Sequence, residues 1–147
     1  MPENRMTLIA RLSVAVLLGA SGAAVMVTLG WVEDAVFGEL PFVAYAFAGA
    51  FSAGVLTAQM FGRDGESGVT LAICGAVLAT VLGVAFVAGA VAPNVIVPNV
   101  EFLEMLKFVF GAVLIVLLLI LTTVAFPVWI VAMLGGHLAA KHLRKAA

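Results

Sequence analysis

The chain has 147 residues, of which 65% are hydrophobic and 10% charged, with a formal net charge of -1. Soluble domains run at about 45–50% apolar and about 25% charged, so so few charges cannot cover this much apolar surface in water. Lipid is the solvent implied; no basic field points to nucleic acid, and the single cysteine, Cys74, excludes an internal disulfide.

The first apolar stretch covers about 7–31 and takes in Arg11 near its start. Small residues near Ala23 give it the look of a signal peptide. The apolar run continues to Trp31, beyond the length of a signal core, and the stretch is expected to remain as a membrane helix.

The second stretch, 41–62, reads PFVAYAFAGAFSAGVLTAQMFG. At 100° per residue, Ala46, Ala50, Gly54 and Ala58 make a stripe of small side chains. Tyr45, Ser52 and Gln59 recur every seven residues and make a polar line on a different face. Small residues allow backbones to approach in a membrane, where dispersion and polar contacts drive association. The polar line has two readings: hydrogen bonding within the bundle, or contact with a partner chain or ligand.

A short FGRDGES link follows, with Asp64-Gly65 as a turn pair, and is expected to be a solvated turn joining an antiparallel hairpin. The third stretch covers about 69–92, where Gly75, Ala79 and Gly83 answer the small stripe of the second. Cys74 reads as a small core residue. The link to the fourth stretch places Val95, Ile96 and Val97 between two prolines, as an interfacial dip or a docking point.

The fourth helix is expected over 101–134, with its bulky run 113–121 facing lipid and a bend at Pro127, whose ring removes a backbone bond. Trp31 and Trp129 suit the two interfacial belts. The tail, 137–147, reads as a basic helix on anionic headgroups.

Each stretch supplies roughly the 20 residues that cross a hydrocarbon core, and helices satisfy their own backbone there. The fold class expected is an all-α integral membrane protein, a single domain of four transmembrane helices in an up-down bundle. Arg5, Arg11, Arg63, Lys141, Arg144 and Lys145 fall on one side and Lys107 on the other. That asymmetry places both termini in the cytoplasm, and a bacterial inner membrane is the expected location.

No Asp, Glu, Lys, Arg or His lies between the interfacial ends of the four stretches, which argues against a proton-coupled transporter acting alone. Nucleophile, zinc and redox motifs do not occur, and His137 and His142 stand five apart near the tail. No catalytic residue, metal or cofactor is therefore expected. The functional expectation is a non-catalytic accessory or assembly subunit of a larger membrane complex, for which a respiratory or photosynthetic host is one option. Its partners would be the lipid bilayer and other membrane-protein subunits, met through Tyr45, Ser52, Gln59, Val95, Ile96 and Val97. The alternative is a small channel or transporter acting as a homo-oligomer, and a weaker third is a membrane enzyme whose chemistry belongs to a bound cofactor.

Overall fold

The computed structural model describes residues 8–28, 42–95 and 101–145, and the described residues are helical apart from short turns. The helices are α1 (Leu8–Thr28), α2 (Phe42–Thr57), α3 (Gly65–Val95), α4 (Phe102–Thr122) and α5 (Ala125–Lys145). A 3-10 turn over Ala58–Met60 extends α2. Four helical spans, Leu8–Thr28, Val43–Met60, Gly65–Ala90 and Phe102–Thr122, are long and apolar enough to cross a membrane.

The helix α2 lies between α1 and α3, and those two touch each other only briefly. The close approach is carried by small residues. A Cβ on Gly49 would lie 2.6 Å from the carbonyl oxygen of Gly83 on α3, and one on Gly54 would lie 2.9 Å from the Cα of Ala15 on α1. Backbones this close forgo side-chain volume and gain dispersion along the whole contact, the force available where lipid already solvates apolar groups. Ala46, Ala53, Ala58, Ala72, Ala76 and Ala79 are all buried in these seams. Helix α2 separates its neighbours, and α5 takes the free side of α1.

Helix α4 packs on α3 and carries the least buried span, exposing Phe110, Leu114, Ile115, Leu118 and Leu121. Its inward residues, Val116 and Ile120, form a cluster with Val25, Val84 and Ala125.

The helix expected over 101–134 is two helices. Thr123 leaves helical geometry at φ -123° and ψ -179°, and α5 begins at Ala125. The Thr123 hydroxyl donates to the carbonyl of Leu119 at 2.6 Å and accepts from the amide of Ala125 at 3.2 Å, so one side chain closes α4 and opens α5. Pro127, expected to bend a continuous helix, instead occupies the first turn of α5. Its missing N–H falls among the donors that a helix start leaves unpaired in any case.

Helix α3 is longer than expected at both ends, starting at Gly65 and running through Pro93 to Val95. Cys74, expected in the core, is exposed on α3.

Candidate functional site

Among the described residues, two places bring polar or chemically distinctive groups together. The first is a cavity of about 70 Å³ between the helices, walled by Leu18 and Ser21 of α1, Thr80 and Val84 of α3, Val116 of α4 and Trp129 of α5, among others. Its polar edge is one hydrogen bond: the Trp129 indole N–H donates to the Thr80 hydroxyl at 2.9 Å, and that hydroxyl donates to the carbonyl of Ala76 at 2.8 Å. Thr80 stands fifteen residues from either end of α3. Trp129 is thus held at mid-helix depth, not in the interfacial belt its place in the sequence suggested; α5 starts part-way down the fold, which carries the ring inward.

The second place is the turn between α2 and α3, which α5 grips. Phe61 is 0% exposed, packed among Ala58, Ala72 and Ala76 with Val14 and Ala140 in the same cluster. Gly62 has φ +73°, a conformation that L side chains rarely adopt, and its Cα faces the α5 backbone at Ala140 and Lys141. The Gly62 amide donates to Nδ1 of His137 at 3.3 Å. Arg144 donates from Nε to the carbonyl of Phe61 and from Nη2 to that of Gln59, both at 3.0 Å. Lys141 pairs with Asp64.

These contacts settle where the FGRDGES link and the basic tail go. The link is not a uniformly solvated turn, since Phe61 and Gly62 are buried, and the tail is not a separate surface helix, since Ala140 is 0% exposed in the main core. The end of the 3-10 turn leaves carbonyls without helical partners, and the guanidinium of Arg144 satisfies two of them at once. Lys141 holds the carboxyl of Asp64 below the ordinary carboxylate range, first through their hydrogen bond and then through its charge. Burial lowers the pKa of Arg144 from its usual value, with Arg63 and Arg11 adding like-charge repulsion.

The residues singled out in the sequence divide. Ala46, Gly54, Ala58, Gly75, Ala79 and Gly83 are buried at helix seams, with Ala50 half-buried among them. Gly22 was missed there: it lies seven residues after Ala15 on the same α1 face, and a Cβ on it would meet the side chain of Ala50 at 2.6 Å. Of the polar line, Tyr45 is half-buried against Met26, Ala46 and Val87, whereas Ser52 and Gln59 are exposed. The Ser52 hydroxyl donates back to the carbonyl of Ala48 at 2.8 Å. Val95 ends α3, while Ile96, Val97 and Trp31 lie outside the described residues.

Among the described residues no three His, Cys, Asp or Glu side chains converge as metal ligands would. No protein-family model, curated protein or solved structure matches the chain.

Proposed function

We propose that the chain is a non-catalytic, multi-pass subunit of a larger complex in a bacterial inner membrane, an up-down bundle with both termini in the cytoplasm. The observation that supports this best is the outward direction of Ser52 and Gln59 on α2, the helix otherwise enclosed by α1 and α3. Polar groups at the lipid-facing edge of a span are retained where another chain or a headgroup meets them. The basic residues of the turn and of α5 cluster at one end of the fold, which agrees with the orientation that the charge asymmetry implies.

Purification of the tagged chain from its native membrane in mild detergent tests the reading. A stoichiometric partner is expected, and Ser52→Leu with Gln59→Leu should release it while leaving the melting temperature within a few degrees. Recovery as a lone monomer would sink the proposal. The same outward line would also serve a path between copies of the chain, the homo-oligomeric channel reading. Flux in proteoliposomes that disappears in the double variant, with no foreign partner, would favour that reading instead.

A further inference from the structure

The cavity of about 70 Å³ plays no part in partner contact through Ser52 and Gln59, which are exposed on α2. It exists because α2 holds α1 and α3 apart while offering only small side chains, Ala46 and Ala50, to the space between them. Helix α5 closes this space over the first half of α1, where Met133 joins the cluster of Val14 and Leu18. Over the second half α4 takes the place of α5, with Val116 and Ile120 in the wall, and there α1 and α4 scarcely touch. The cavity is half-open, and among the described residues the seam between α1 and α4 is its least closed side.

Three polar side chains line the cavity, and each spends its hydrogen inside the protein. The Trp129 indole N–H goes to the Thr80 hydroxyl at 2.9 Å, that hydroxyl donates to the carbonyl of Ala76 at 2.8 Å, and the Ser21 hydroxyl donates to the carbonyl of Leu17 at 2.7 Å. A ligand carbonyl or headgroup oxygen would meet no donor, and its desolvation would go uncompensated. A buried water makes about three hydrogen bonds; here its oxygen would have none to accept. The rest of the wall is aliphatic side chains, glycine and methionine, so the chemistry that fits is hydrocarbon. A volume of about 70 Å³ is near half the roughly 150 Å³ that takes a benzene ring, which makes ring systems too wide and leaves room for a single unbranched chain end. Thr80 lies at the middle of α3, the depth at which the chains of a lipid leaflet end.

We propose that this cavity binds the terminal segment of one unbranched acyl chain of a membrane lipid, which enters through the seam between α1 and α4. The chain end fills space that the helix side chains leave empty and gains fixed dispersion contacts on every side. Its headgroup stays outside the fold, so the hydrocarbon and not the charge selects the lipid.

Trp129 forms part of the wall and serves as the reporter; in a Trp31→Phe background it is the sole tryptophan. The full chain in detergent is titrated with phosphatidylcholine brominated either near the chain ends or near the glycerol, since bromine quenches indole fluorescence on contact. Saturable quenching at a single lipid per chain is expected, stronger for the chain-end bromines. Val116→Phe, which fills the cavity from α4, should remove the saturable component, and Leu118→Phe, on the exposed face of the same helix, should leave it intact. Should Val116→Phe fail to fold, Ala132→Leu fills the cavity from the α5 wall, and the titration without either substitution still decides between saturation and none. Quenching that only follows the lipid mole fraction overturns the site, as does stronger quenching by the bromines near the glycerol. A saturable component that survives filling, or that falls equally in Leu118→Phe, overturns it too. Displacement by an isoprenoid alcohol as readily as by unbranched lipid gives the cavity to a branched chain and overturns the acyl assignment.

Discussion

Gly62 and Gly65 share a backbone problem and differ in their surroundings. Both have positive φ, +73° and +79°, so a side chain at either position costs roughly 1–2 kcal/mol in backbone strain alone. A Cβ at Gly65 meets nothing within 4 Å, but one at Gly62 would lie 2.5 Å from the carbonyl carbon of Ala140 and 2.6 Å from the amide of Lys141. Those atoms are backbone and cannot step aside without moving α5. Gly65→Ala is therefore expected to cost only the strain, and Gly62→Ala roughly 2 kcal/mol more, within the range of overpacking penalties. Chemical denaturation of the two variants in the same detergent measures the difference; equal losses would mean that α5 does not bear on the turn. The positive φ at Gly65 was legible in the sequence as an Asp-Gly turn pair. Gly62 was not, because what confines it is a contact with a residue 78 positions further along the chain, by the spacing of Gly62 and Ala140.

At the scale of elements, the division between α4 and α5 turns on Thr123. In sequence, Thr122-Thr123 looks like ordinary helix filling and Pro127 looks like the breaker. The structure reverses those parts, because a threonine hydroxyl can serve both the helix that ends and the helix that begins, whereas a proline in a first turn loses no bond. Pro127→Ala is expected to change stability by less than about 1 kcal/mol, far from the roughly 3 kcal/mol of a proline inside a helix. Thr123→Ala should cost about 1 kcal/mol, the ordinary worth of a cap. Thermal melting of both variants checks the order; a larger effect at Pro127 than at Thr123 would restore the single bent helix. The spans themselves were legible because length and hydropathy are local properties, and four apolar helical spans stand where apolar stretches run. The break was not, since the same residues satisfy a helix interior and a helix cap equally well until their partners are known. The depth of Trp129 depends on that break, so it was misplaced along with it.

Over the whole molecule, the grip on the α2–α3 turn joins the two ends of the fold's connectivity: α1 packs along α2 and α5, and α5 reaches back to the link that starts α3. The basic residues read from sequence as a headgroup-binding tail are partly spent inside the protein, on the carbonyls of Gln59 and Phe61 and on Asp64. Charge asymmetry gives the side of the membrane but not the partner, since a lysine facing a headgroup and one facing an aspartate are the same letter. The ion pair adds a pH dependence whose sign is fixed. The carboxyl of Asp64 titrates below its ordinary value of 3.8 when the turn is gripped, so the gripped form is favoured above that value. This preference fades as pH falls through the lowered value, when the carboxylate is protonated and Lys141 loses its partner. Because Asp64 is fully exposed, the effect belongs to the turn and not to global unfolding. The Lys141 Nζ resonance, whose partner is Asp64, should shift below about pH 4 in step with Asp64 protonation. Asp64→Asn should remove the acid step. An acid shift that survives in Asp64→Asn would place its origin elsewhere and leave the Lys141 contact without influence on the turn.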